Sequence, residues 1–224
     1  MPADRRVEPV VERIRAGGVI AILRLEAAED LVPVAEAIQA GGVTAIEFTL
    51  TTPGAVRALR PARMRLSREV LLGVGTVLSA EAAQEAIEAG AEFVVAPNLN
   101  PPVVAACRAA GIPVIPGAFT PTEIVAAWDA GASFVKIFPV GSVGPRYIRD
   151  LRGPFPHIPL VPTGGVSLDN LEAFMQAGAV AVGVGGEMVP KDLLARRAFP
   201  EITARARAFA DAVRRARGAG STQS

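Results

Sequence analysis

Residues 128–139 read Trp-Asp-Ala-Gly-Ala-Ser-Phe-Val-Lys-Ile-Phe-Pro, and this junction decides the fold. An Ala-rich helical stretch ends at Ala130-Gly131, and an apolar run begins three residues later at Phe134. Glycine at such a joint supplies the left-handed conformation that stops a helix. The same joint recurs within Ile38–Phe48, Ile87–Pro97, Arg108–Gly117 and Met175–Gly185. Outward from these joints, eight short Val/Ile-rich runs are expected as strands: Val19–Arg24, Ala45–Leu50, Leu71–Thr76, Phe93–Pro97, Ile112–Gly117, Phe134–Pro139, Leu160–Gly165 and Ala181–Gly186. A helical segment follows each. Pro53, Pro101, Pro121 and Pro145 are expected at first helical positions, where proline forfeits no hydrogen bond, and Thr120 with Glu123 has capping-box spacing. Eight βα units in one chain predict an α/β fold, a single (β/α)8 barrel over residues 1–216 with a frayed tail at 217–224. The rival, an open doubly wound sheet, lacks a GxGxxG opening its first helix.

Composition agrees. Of 224 residues 50% are hydrophobic and only 20% charged, with a mean hydropathy of +0.36, so a large core is expected and disorder is excluded. Aromatics are 5%, which predicts a core filled mainly by Ala, Val, Ile and Leu. No apolar run reaches membrane-spanning length, and the polar stretch Met1–Arg6 has no signal-peptide core, so a cytoplasmic protein with no membrane partner is expected. A net charge of +1 without clustering argues against a nucleic-acid partner. One cysteine (Cys107) and one histidine (His157) leave no disulfide, no His-rich metal site and little prospect of a His-based triad. The 23 basic residues include only two lysines, Lys136 and Lys191. Each lysine therefore calls for its own explanation.

Ligands on a (β/α)8 barrel bind at the C-terminal ends of the strands, so site residues are expected at the strand exits. A charge inside a strand is costly without a partner, and three strands carry one: Arg24, Glu47 and Lys136. Lys136 alternates with Phe134 and Phe138 on one face. Burial lowers a lysine pKa and frees the amine for Schiff-base chemistry on a carbonyl; the competing reading is a lysine that snorkels to the rim or sits in a structural ion pair. Glu47 reads as a general acid/base or as a charge partner of Lys136 or Arg24. Arg24 suits a substrate carboxylate or a salt bridge at the barrel mouth. Gly164-Gly165 and Gly185-Gly186 end the last two strands, where this fold commonly holds phosphate on backbone amides, though such pairs also serve turns. The other notable side chains read as structure: Cys107 as a small core residue, Trp128 and Tyr147 as helix packing, His157 and Lys191 as surface, and the Arg-rich segment Arg196–Arg217 as a solvated helix face.

The set Glu47-Phe-Thr49, Gly73-Val-Gly75-Thr76-Val77, Ala96-Pro97, Ile115-Pro116-Gly117, Lys136-Ile-Phe138-Pro139 and Pro162-Thr163-Gly164-Gly165-Val166 closely resembles the family of 2-dehydro-3-deoxy-6-phosphogluconate (KDPG) and 4-hydroxy-2-oxoglutarate (KHG) aldolases, from about Ile14 to Val189. The resemblance implies a cofactor-free, metal-free class I aldolase, usually a homotrimer, acting on a small 2-keto acid, phosphorylated or not. Carried over residue by residue, Lys136 would be the Schiff-base lysine and Glu47 the general acid/base. Thr76 would bind near the pyruvyl carboxylate, Phe138 and Pro97 would line the pocket, and Gly164, Gly165 and Gly185 would cradle phosphate, with Gly186 beside them. Two departures stand out. Many members have an arginine on the carboxylate where this chain has Thr51, which makes Arg24 the evident substitute. Some have a phosphate-binding serine after the strand-eight glycine, where this chain has Gly186 followed by Glu187. A phosphosugar isomerase-type barrel and a non-catalytic keto-acid binder are the alternatives.

Overall fold

In the computed structural model residues 7–220 are described. A helix α1 (Val7–Gly17) precedes strand β1 (Val19–Leu23), and helices and strands then alternate: α2 (Leu31–Ala40), β2 (Ala45–Thr49), α3 (Ala55–Arg65), β3 (Leu71–Gly75), α4 (Ala80–Glu88), β4 (Phe93–Val95) and α5 (Pro101–Ala110). The second half continues with β5 (Val114–Ile115), β6 (Gly117–Ala118), α6 (Pro121–Asp129), β7 (Val135–Ile137), α7 (Gly144–Arg152), β8 (Leu160–Pro162), α8 (Leu171–Gln176), β9 (Val182–Val184), α9 (Lys191–Ala195) and α10 (Phe199–Gly220). All pairing is parallel, in a six-stranded sheet of order β5-β4-β3-β2-β1-β9 and a three-stranded sheet of order β6-β7-β8.

The expected strands are all present, with one change. The fifth run, Ile112–Gly117, is two short strands either side of Pro116, which has no N–H to give to a ladder. The helix-stop glycines act as the sequence suggested: Gly42, Gly90, Gly111, Gly131 and Gly178 all have positive φ just past a helix. Thr120 and Glu123 form a complete capping box, and Pro101, Pro121 and Pro145 open their helices. Pro53 does not. It precedes Gly54, the N-cap of α3, whose φ of 80° sets the turn instead. The tail expectation is corrected over residues 217–220: α10 runs to Gly220, and the Arg217 guanidinium donates to the carbonyls of Ala16, Arg15 and Val180. Residues 221–224 of that tail, and Met1–Arg6, lie outside the described residues.

Strand alternation sorts side chains into two clusters. Val19, Ala21, Leu23, Ile46, Phe48, Leu72, Val74, Val135 and Ile137 face the helices and form the larger cluster. Ile20, Ala45, Leu71, Phe93, Phe134 and Val161 face the concave side of the curled sheet, joined by Val11 and Ile14 of α1. Aliphatic residues dominate, but phenylalanine does more than its abundance suggested: Phe48, Phe93, Phe134, Phe174 and Phe209 are among the largest fully buried side chains. Each such burial is worth roughly 1.5–3 kcal/mol. Gly73 makes room for one of them, since a Cβ there would lie 2.4 Å from the Phe93 ring. Polar side chains enter the concave face one layer toward the strands' C-terminal ends. Among the described residues, no helix is long and apolar enough to cross a membrane.

Candidate active site

The two-residue period that buries Phe134 places Lys136 above it on the same face of β7 and Phe138 above that. Lys136 is only 8% exposed, and its Nζ lies 5.0 Å from the centre of the Phe138 ring. Burial holds the ammonium pKa below the usual lysine value; the nearby positive charge of Arg24 works in the same direction, and Glu47 works against both. Glu47 stands on β2, in register with Ile22 of β1 and Gly73 of β3. It is 1% exposed, and burial raises its carboxyl pKa despite the opposing pull of Lys136 and Arg24. Its position depends on Gly75. A Cβ at that residue would come within 1.5 Å of Glu47 Oε1, so the carboxyl occupies the space a side chain would need.

Lys136 opens into a cavity of about 260 Å³ at the C-terminal ends of the strands. Arg24, Phe138, Gly164, Gly165, Gly185 and Gly186, all singled out in the sequence, line it with Lys136. Thr163, Ile22, Leu25, Val166 and Glu187 complete most of the wall. Thr51, Thr76 and Pro97 stand at the exits of β2, β3 and β4, outside this lining. Thr76 has a φ of 60°, a conformation β-branched residues rarely adopt, so local strain fixes its backbone where β3 ends.

Three threonines had no role of their own in the sequence reading. Thr52 Oγ1 accepts from the N–H of Leu25 at 2.9 Å, and Thr49 Oγ1 donates to the carbonyl of Leu23 at 3.1 Å. The two threonines, 1% and 0% exposed, thus grip the backbone on both sides of Arg24. Because the Thr49 hydroxyl proton goes to Leu23, the 2.9 Å contact between Thr49 and Thr51 hydroxyls has Thr51 as donor. Threonines are common at strand ends, and only the missing arginine at position 51 hinted that this loop would serve Arg24. Thr163, 5% exposed, is the third: a Cβ on Gly183 would meet its Oγ1 at 2.5 Å, so that glycine admits a hydroxyl to the cavity wall.

A buried amine whose pKa is lowered, coupled to a buried carboxyl whose pKa is raised, has the makings of a nucleophile with an acid/base partner. A guanidinium at the same cavity can hold a carboxylate. The remaining candidates are structural: Cys107 is fully buried in α5, its thiol pushed up to about 11 by burial. His157 is exposed and meets Trp128 edge-on, and Tyr147 donates to the carbonyl of Phe119.

The family model described as KDPG and KHG aldolase matches residues 10–205. The chain belongs to that aldolase family. A 2-dehydro-3-deoxy-phosphogluconate aldolase of Treponema pallidum is 42% identical over 195 residues, covering 87% of this chain and 91% of the relative. A KHG/KDPG aldolase of Escherichia coli K12 is 33% identical over 195 residues, with the same coverage of 87% and 91%. Among solved structures, a KDPG aldolase from Legionella pneumophila, with pyruvate captured at low pH as a covalent carbinolamine, superposes with a TM-score of 0.82 at 29% identity, covering 89% of this chain and 97% of that one. Family members so named are lyases, and this chain is an enzyme of that class.

Proposed function

We propose that the protein is a class I aldolase that reversibly cleaves a 4-hydroxy-2-keto acid to pyruvate and an aldehyde, the aldehyde being glyceraldehyde 3-phosphate or glyoxylate. The observation that carries this reading is one cavity into which a buried lysine opens, electrostatically coupled to a buried carboxyl and to Arg24. Lys136 Nζ attacks the C2 carbonyl to give a carbinolamine, which loses water and becomes an iminium. Glu47 takes the proton of the C4 hydroxyl. The C3–C4 bond breaks, its electrons neutralise the iminium as an enamine, and the aldehyde leaves. Protonation of C3 restores the iminium, and water releases pyruvate and the free amine. Arg24 holds the substrate carboxylate, Thr76, Pro97 and Thr51 shape the strand exits around the keto acid, and Phe138 covers the amine. The amides of Gly164, Gly165, Gly185 and Gly186 face the far end of the substrate. Orientation lets the breaking bond align with the iminium π-system.

Within the same reading the two sheets are one closed (β/α)8 barrel. An isolated parallel bridge between Thr163 and Gly183 supports closure on one side. On the other, the fifth strand passes through Pro116, with the Ala96 N–H donating to Ile115 and the Lys136 N–H to Pro116. The family resemblance extends the reading to a homotrimer working in the cytoplasm, which light scattering on the purified protein tests for assembly.

The decisive experiment is borohydride reduction in the presence of pyruvate, followed by peptide mass mapping. Lys191, exposed at the start of α9, is an internal control. A reduced pyruvyl adduct on Lys136 alone is expected. Folded protein that yields no adduct overturns the reading.

A further inference from the structure

The loop after β8 is gripped from outside the cavity it lines. Gly164, Gly165 and Val166 are part of the cavity wall, with φ values of 75° and 102° at the two glycines. The Gly164 carbonyl accepts from the N–H groups of Val140 at 3.0 Å and Gly141 at 2.8 Å. The Gly165 carbonyl accepts from Asn170 Nδ2 at 2.8 Å, while Asn170 Oδ1 accepts from the Ser167 N–H at 2.9 Å. A backbone N–H only donates and a carbonyl only accepts, so these two bonds fix which end of the Asn170 amide is which. Val140, Gly141 and Asn170 do not line the cavity. A trans peptide aims its carbonyl and its N–H in opposite directions. With both carbonyls tethered away from the cavity, the N–H groups of Gly165 and Val166 turn toward it, and among the described residues neither donates to a protein atom.

We propose that Asn170 is a positioning residue for the phosphorylated end of the substrate: its hold on the Gly165 carbonyl keeps the Val166 N–H aimed at a terminal phosphate. This rests on the aldolase reading above and deepens it. Glycine rotates more freely than any other residue, so without Asn170 the peptide after Gly165 can swing its carbonyl, a partial negative charge, toward the anion. In the six-carbon phosphorylated acid the phosphorus lies three bonds beyond C5, where 4-hydroxy-2-oxoglutarate ends. The two substrates therefore depend on this peptide unequally.

The test measures kcat and KM for 2-dehydro-3-deoxy-6-phosphogluconate and for 4-hydroxy-2-oxoglutarate in wild type, Asn170→Ala and Asn170→Asp. Pyruvate trapping on Lys136 and thermal unfolding run in parallel. Asn170→Asp keeps the acceptor for the Ser167 N–H and loses only the donor to Gly165; Asn170→Ala loses both without adding charge. Each should shift the kcat/KM ratio by about tenfold against the phosphorylated acid, the scale of one charge-assisted hydrogen bond, and mainly through KM. Inorganic phosphate should compete with the phosphorylated acid in wild type, and about tenfold more of it should be needed in the variants. Equal losses on both substrates would mark a merely structural asparagine and overturn the inference. So would an unchanged KM for the phosphorylated acid, or a wild type that cleaves only the five-carbon one. Absence of trapping in folded wild type would instead strike the aldolase reading itself.

Discussion

At Lys136 two neighbours pull on one proton in opposite directions. Burial and Arg24 both ease the proton off the amine, and Glu47 helps to hold it. Only the free amine attacks a carbonyl, so pyruvate adduct formation should fall as pH drops through the lowered pKa of Lys136. The signs of the neighbours then give opposite outcomes. Glu47→Gln removes the charge that raises this pKa, and its acid limb should move to lower pH. Arg24→Leu removes a charge that lowers it, and its limb should move to higher pH. Trapping rates at saturating pyruvate across a pH series check both, and parallel shifts would refute the assignment. Cleavage behaves differently from trapping. Loss of a positioned acid/base costs about 10²- to 10⁴-fold in rate, so Glu47→Gln should lose turnover on that scale and still bind pyruvate covalently. The charged trio was legible in the sequence because a charge in an apolar run is conspicuous. Its threonine supports were not, since a buried hydroxyl at a strand end leaves no pattern until its partner is located in space.

Where β1 and β2 end, two hydroxyls hold the Leu23–Leu25 backbone. Thr52→Val keeps the shape of the side chain and leaves the buried N–H of Leu25 without its acceptor. An unpaired buried donor costs about 1–3 kcal/mol, so melting temperature should fall, which thermal unfolding reads directly. A second consequence runs through Arg24: KM for the keto acid should rise more than kcat falls, and Thr52→Ser should restore both. A purely structural threonine would lower stability without that split in the kinetics. The elements themselves were largely readable, because a glycine with positive φ punctuates each helix and hydrophobic runs mark the strands. The exceptions arise where proline and glycine exchange roles. Pro116 divides one expected strand, and Gly54 rather than Pro53 sets the entry to α3.

For the molecule as a whole, the first and last helices are tied together. Arg217 reaches from α10 to the last turn of α1 and to the residues preceding β9. Charged hydrogen bonds contribute about 1.5–3 kcal/mol where they are shielded from water, and this side chain is largely exposed, so a smaller share, about 1 kcal/mol, is expected. Arg217→Ala should therefore lower the melting temperature by a few degrees without changing kcat, measured by calorimetry and assay on the same preparation. Composition alone suggested a tail here, because Arg-Gly-Ala-Gly-Ser lacks an apolar face; the carbonyls that receive Arg217 belong to residues some two hundred positions earlier, which no local pattern reveals. Overall architecture was more legible, since repetition along the chain carries it.

Helix α1 has one further effect. Val11 and Ile14 join Phe93, Phe134 and their neighbours beneath the polar layer, so the vessel has a stopper at its base, and the cavity that Lys136 enters is its doorway at the top. Traffic through such a doorway is sequential. The aldehyde must depart past the entrance before water can follow to release the tethered three-carbon remainder, and an incoming aldehyde that arrives first recaptures the enamine and runs the reaction backward. Arrival order thus decides the fate of each enamine, and the concentrations on either side decide the net direction.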